Sequence, residues 1–412
     1  MVQMMMEEAE MNNSDMVRFE KQNQLSDPIV YQKYQDAGAV AKEALTLAMN
    51  LIQTSYNAVI VAGGESGSKV SNICNQVDAF IEEKCKSLFT YDCERGIAFP
   101  CTISCNETVR YGGGENNGHC WMTGDLVKIE LGVHVDGYIA TLAHSMILGQ
   151  HQPSCPVQGA KADAVCAALL ASQVVARMLR PGQKLGEISE LIGRVARRYN
   201  CLPVKETYSS QMKRFVLDAR KVIYNDASSS SESSSEDDVV AANDVYAINI
   251  VMVSDSSRPS QPKERGDQTS VRIFQRNVSS QRTQLRLKAS RTLYSQVDRH
   301  YPVFPFNLAR LEEKMVVTVA SSESSAVALK LGLPECLKHG LLVAHPEISE
   351  SKDRAVAQFK FTVLVGSGNG EVGNGSGSNQ VICGIESFPI PFVHSVYDLE
   401  DDAKIQAIMT SQ

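Results

Sequence analysis

The chain has 412 residues, 43% of them hydrophobic and 21% charged, with a net charge of −7. That length allows one large domain or two medium ones, and the composition excludes a chain disordered throughout. No uninterrupted apolar run reaches the ~20 residues a membrane helix needs, so no membrane association is expected.

Residues 1–25 are methionine-rich and acidic and read as a disordered tail. Ser26-Asp27-Pro28 is a helix start, a capping side chain followed by proline in the first turn. Apolar residues recur at helical spacing over 29–53, and a second helix with Val70, Ile73, Val77 and Ile81 on one face follows a glycine-rich loop. Residues 97–104 read as a short strand interrupted by Pro100. Residues 125–133 and 138–148 form a hairpin, with His134-Val135-Asp136-Gly137 as its turn. Helices are predicted over 160–179, stopped by Arg180-Pro181-Gly182, and over 185–199. Strands are predicted over 215–223 and 244–253, with a disordered acidic serine loop, 226–239, between them. Its serines stand beside Glu and Asp, a setting for an acidophilic kinase. Further on come helices at 288–301 and 335–342, a strand at 355–366, a Gly/Ser/Asn-rich loop and an edge segment at 381–393. The order is that of a mixed α+β domain of two related halves.

Eleven cysteines without a CxxC pair exclude a zinc ribbon and point to reduced thiols in a cytosolic or nuclear compartment. Three other chemistries are weighed against plainer readings. His134, Asp136 and His144 suggest a zinc set, but as hairpin residues they read better as solvated turn side chains. Cys101 or Cys105 as a nucleophile lacks an orienting partner. Gly112-Gly113-Gly114 lacks the Lys-Ser/Thr of a phosphate loop.

Charge is unevenly spread. From Arg258 to Arg299 ten Lys/Arg face three Asp/Glu, a local +7 that leaves −14 for the remainder. Lys263, Arg265, Arg272, Arg276, Arg282, Arg286, Lys288 and Arg291 supply phosphate-binding donors without a base-reading pattern. The alternative is a solvated, Arg-rich loop.

The stretches FPCTISCN (99–106) and GDLVKIELGVHVDGYIATLAH (124–144) resemble the pita-bread proteins: the methionine aminopeptidases and their non-peptidase relatives. The nearest resemblance is to the proliferation-associated, ErbB-three-binding group. Arg180-Pro181-Gly182, Val245-Tyr246-Ala247, the 288–294 segment and AQFKFTV (357–363) agree in the same order. The resemblance implies a pita-bread domain over 26–399, an inserted helical, winged-helix-like subdomain at about 258–352 and a C-terminal tail at 400–412. It also implies where a peptidase would keep its two metals. Those active-site positions fall on Arg110, Glu130, Thr141, Ser210, Asn249 and Lys360, and among the metal-ligand positions Glu130 alone keeps a carboxylate. The expectation is therefore a pseudo-peptidase with no cofactor and no metal, in which Lys360 approaches Glu130 as an ion pair. The resemblance further implies a regulator of growth and translation on ribosomes or structured RNA, cytoplasmic with the nucleus as a second compartment; the sequence leaves the oligomeric state open, with a monomer favoured. Regulatory proteins are the alternative partners, in a co-regulator scaffold without RNA; an active metallo-aminopeptidase ranks third. The group's Lys-rich C-terminal tail has no counterpart at 401–412, which leaves RNA affinity to the inserted subdomain.

Overall fold

The computed structural model describes residues 25–62, 68–88, 93–112, 121–149, 155–229, 238–265, 271–280, 284–319, 322–366, 379–398 and 402–410. Residues 1–24 of the proposed N-terminal tail, most of the acidic serine run, Gly113, Gly114 and Arg282 lie outside them, whereas Leu25, placed in that tail, is fully buried in the core. The first half holds α1 (Pro28–Ala62), α2 (Val70–Lys86), β1 (Arg95–Cys105), β2 (Thr108–Arg110), β3 (Leu126–Val135) and β4 (Tyr138–Ile147). The second begins with α3 (Ala160–Met178), α4 (Leu185–Arg198), β5 (Cys201–Pro203), β6 (Tyr208–Met212), β7 (Val222–Tyr224) and β8 (Val245–Ser254). An insertion follows: β9 (Lys263–Arg265), β10 (Ile273–Arg276), α5 (Lys288–His300), β11 (Phe306–Asn307), α6 (Leu308–Val319), α7 (Ser322–Lys338), β12 (Leu342–His345) and β13 (Glu347–Ser349). The chain returns through β14 (Val356–Leu364) and β15 (Gln380–Ile382) and ends in α8 (Ala403–Thr410).

Among the described residues the main sheet runs β1-β3-β4-β14-β8-β6-β7, with β15 and β5 paired at its flanks. The first half contributes two helices and then β1, β3 and β4, the second two helices and then β6, β7, β8 and β14, and the halves meet at the β4/β14 seam. One sheet face is apolar. Ile129, Leu131 and Leu142 pack under α1, with α2 beside it on β1, while Ile248, Ile250, Phe359 and Phe361 pack under α3, with α4 beside it. The insertion has its own core around Phe274, Leu293, Phe306, Leu311 and Met315, and a separate three-stranded sheet, β11-β10-β12. A third sheet, β2-β13-β9, ties it to the first half.

Local chemistry explains most elements. The Asp27 carboxylate accepts the Ile29 amide at 2.8 Å and so caps α1, with Pro28 at the first helical position. Val30, Tyr34, Ala37, Ala41, Ala44, Ala48 and Ile52 are buried at three- and four-residue spacing. By length and composition α1 would suffice to cross a membrane, which corrects the expectation from apolar runs, yet its apolar stripe is spent on the core. The β3–β4 hairpin closes tighter than expected. His134 and Val135 stay in the strand, and Asp136 (φ 54°) and Gly137 (φ 79°) form the two-residue turn. A Cβ on Gly137 would stand 2.4 Å from the Phe215 ring, so this position admits only glycine. Pro100 does not interrupt β1; the strand absorbs it in register shifts between Phe99 and Thr102.

Several expected boundaries move. The 215–223 strand is mostly a turn, with Phe215 at φ 62°, and the pairing strands are β6 and β7. The helix expected at 335–342 spans Ser322–Lys338, and Leu342 opens a strand. The C-terminal stretch folds back as α8, with Ile405 fully buried and Asp402 paired to Arg194 at 2.6 Å.

Asp78 locks α2 to both β1 and the insertion. Its carboxylate is fully buried, accepts the Cys101 amide at 2.8 Å and faces the Asn307 amide at 3.4 Å. Burial raises its pKa to about 7. A carboxyl that titrates higher folded than unfolded stabilises most when protonated. Its contribution is complete below pH ~4 and is lost as pH rises through 7, about 2 kcal/mol of it between pH 5 and 7. Thermal unfolding of Asp78→Asn, which keeps an acceptor for Cys101, is expected to gain that much on the wild type between pH 5 and pH 7. A constant difference across the window would refute the assignment.

Candidate functional site

The polar face of the sheet presents two adjacent rows of side chains. Register pairs Glu130 with Ala143, Ala143 with Lys360, and Lys360 with Asn249. Two residues along, Gly132 pairs with Thr141, Thr362 with Ala247, and Ala247 with Ser210. Strand alternation puts both rows on one face. They form the floor of a cavity of about 130 Å³, walled by Phe99, Arg110 and Tyr111 from the first half and roofed by Gln275, Pro305 and His345 from the insertion. All six positions singled out by the resemblance line this one cavity.

Its electrostatics centre on Lys360, whose Nζ donates to Glu130 Oε1 at 2.7 Å, both side chains largely buried. Gln358 Nε2 donates to the other carboxylate oxygen at 3.2 Å and to Asn249 Oδ1 at 2.9 Å. Ser210 donates to the Leu217 carbonyl at 3.2 Å. The Thr141 backbone is bridged by the Thr362 hydroxyl, but Thr141 Oγ1 is buried with no hydrogen-bond partner. Arg110 lies over the Tyr111 ring, 5.4 Å from its centroid, and its buried Nε is likewise unpartnered. His345 also packs against Tyr111, ring centroids 5.1 Å apart. Burial, aided by the Arg110 charge, lowers its pKa to about 4, so it is neutral at pH 7.

A pair of divalent cations needs several oxygen or imidazole donors with spare negative charge. Among the described residues no group of three His, Cys, Asp or Glu side chains is placed to hold a metal. Glu130, the one carboxylate on the floor, is already engaged by a cation. The donor set does not fit a two-metal centre.

Of the alternative chemistries, the solvated-turn reading is overturned and the core-thiol reading of Cys101 is not. His134 is not solvated: it is 7% exposed, its ring lies 4.6 Å from that of Phe304, and burial lowers its pKa to about 3. His144 is on the opposite sheet face, fully buried, with Nε2 at 3.0 Å from the Pro389 carbonyl. Asp136 is also no free ligand; Lys33 holds it at 2.6 Å and Arg214 at 2.5 Å. Cys101 is buried, and hydrogen bonding with Cys74 and burial keep its thiol well above the ordinary range, the reverse of an activated nucleophile.

The basic residues divide. Arg265 pairs with Glu107 at 3.0 Å, Arg272 donates to Asn75 at 3.0 Å, and Arg276 pairs with Asp298 at 3.1 Å over Tyr294. Arg291 donates to the Leu285 and Arg286 carbonyls. Lys263, Arg286 and Lys288 are exposed. The expected cluster is thus partly structural.

Some cavity residues escaped the sequence reading. Gln358 was within reach, since it stands two residues before Lys360 on the same strand face. Gln275 and His345 arrive from the insertion, and nothing local announces them.

Comparison with known proteins agrees with this architecture. Residues 32–318 match metallopeptidase family M24. The chain is 34% identical over 390 residues to proliferation-associated protein A of Dictyostelium discoideum, covering 94% of this chain and 90% of that protein. It is 34% identical to ErbB-3 binding protein 1 of Arabidopsis thaliana, over 86% and 82% of the two chains. A solved thermophilic Arx1 shares the fold, with TM-score 0.73 and 20% identity over 93% of this chain and 98% of that one. The chain belongs to metallopeptidase family M24, with the pita-bread fold, in the group of the proliferation-associated and ErbB-3-binding proteins.

Proposed function

We propose that this chain is a pseudo-peptidase of the M24 family, a growth and translation regulator that docks on ribosomes or structured RNA in the cytoplasm, with a second pool in the nucleus. The observation that carries the first part is the Lys360–Glu130 ion pair. A unit charge ~4 Å from another interacts at ~4 kcal/mol at an effective dielectric of ~20, so an ammonium at that position repels a divalent ion by at least as much. Metal analysis of the purified protein with a Met-peptide cleavage assay tests it. Stoichiometric manganese, cobalt or zinc with turnover would reverse the reading.

The docking part is supported by the exposed cations of the insertion, Lys263, Arg286 and Lys288. Each phosphate contact contributes ~0.7–0.9 to the slope of log affinity against log salt. Co-sedimentation with ribosomes across a salt series is expected to show steep loss of binding. The triple variant Lys263→Ala/Arg286→Ala/Lys288→Ala is expected to lower the slope by about 2–3. Binding indifferent to salt and to these residues would favour a protein-interaction scaffold without RNA.

A further inference from the structure

The cavity over the sheet holds two polar groups that the protein itself leaves unsatisfied. Arg110 Nε and Thr141 Oγ1 are both buried without a hydrogen-bond partner, and both side chains line the same space. Among the described residues the Arg110 side chain makes neither a hydrogen bond nor an ion pair; it lies over the Tyr111 ring at 5.4 Å. None of the neighbouring charges pairs with it. Lys360 and Glu130 neutralise one another at 2.7 Å, and His345 carries no charge at neutral pH. Asp218 lines the same pocket, but it is an exposed residue and no ion pair joins it to Arg110 within 4 Å. The lining thus holds two cations and two carboxylates, and among the described residues Arg110 is the lining cation whose guanidinium has no ion-pair partner.

A guanidinium in that setting matches a carboxylate, which it can bind through two parallel N–H donors. A buried hydroxyl with no partner asks for one more polar atom on the same ligand. The space, about 130 Å³, holds several waters, hence an organic anion of a few heavy atoms. We propose that the cavity is a binding site for a free, short-chain hydroxy- or oxo-carboxylate, with the carboxylate on Arg110 and the hydroxyl or oxo group on Thr141. Phe99 lines the remaining wall, with Lys360 Nζ 5.5 Å from its ring centroid. This rests on the reading of the site as metal-free, and is independent of ribosome or RNA docking.

The test uses the full chain after metal analysis, with lactate as probe in saturation-transfer NMR and calorimetry. Lactate is expected to bind saturably, propionate about tenfold more weakly, and lactamide not at all. Arg110→Met should abolish lactate binding. Thr141→Val should bring lactate down to the level of propionate while leaving propionate unchanged, a selective loss that misfolding would not produce. A metal-free protein with no saturable lactate signal, or one whose signal survives Arg110→Met, would overturn the proposal and leave the pseudo-peptidase reading standing. Stoichiometric bound metal would sink both. Competition by N-acetyl-glycyl-alanine as strong as that of lactate would also overturn it, because a chain end would then be the ligand.

Discussion

Arg354→Met is expected to destabilise the protein by about 4 kcal/mol and to free the insertion at its root. Arg354 stands where the chain returns to β14, and it is 4% exposed. Its guanidinium donates to the carbonyls of Ser254 (2.8 Å), Asp255 (2.7 Å), Pro259 (3.1 Å) and Arg258 (3.3 Å), which belong to the segment leaving β8. Its charge faces Glu350 at 3.5 Å, a buried carboxylate that also accepts Ser260 Oγ at 2.6 Å and the Gln261 amide at 3.0 Å. One side chain therefore ties the exit of the insertion to its return. Methionine fills the volume but leaves four carbonyls unpaired and a buried carboxylate without its cation. Urea denaturation should show the loss in midpoint. Amide exchange should rise at residues 254–261 and 349–356 more than in β3 or β4. Arg354→Lys, which keeps the charge without the planar fork, should recover less than half. A variant with wild-type midpoint and unchanged exchange would show that the insertion is held by its sheet contacts alone.

The sequence exposed what local periodicity and short-range chemistry encode. The α1 cap, the hairpin and the long helices were legible because burial and capping act within a few residues. What failed depended on distant partners. His134 looked like a solvated turn residue because the hairpin's own residues do not reveal that Phe215 and Phe304 cover it. The basic stretch looked like one anion-binding surface because composition cannot show Glu107, Asn75 and Asp298 answering three of its arginines. The helix expected at 335–342 instead spans Ser322–Lys338 and carries Pro334 inside it. The six site positions came from resemblance alone. Their convergence follows from register, because three strands far apart in the chain, β3, β8 and β14, bring residues 130, 249 and 360 into a single row through Ala143 of β4.

That row makes the second large effect. Lys360→Met leaves Glu130, 7% exposed, with one amide donor at 3.2 Å and no countercharge. Breaking a largely buried pair from one side costs about 3 kcal/mol, whereas replacing both partners by apolar side chains of similar size can be neutral. The double variant Glu130→Met/Lys360→Met is therefore expected within about 1 kcal/mol of wild type, and the cycle should return a coupling of at least about 2 kcal/mol. Charge reversal gives a sharper contrast. Lys360→Glu sets two carboxylates against each other across the β4/β14 seam, so the variant should unfold well below the wild type in chelator and recover part of that loss in millimolar manganese. The wild type should show no manganese response, because its own ammonium already occupies the place of the cation. Stabilisation of the wild type by manganese, or a coupling near zero in the cycle, would mean that Lys360 is a bystander in the row and that the metal-free reading of the site has lost its physical ground.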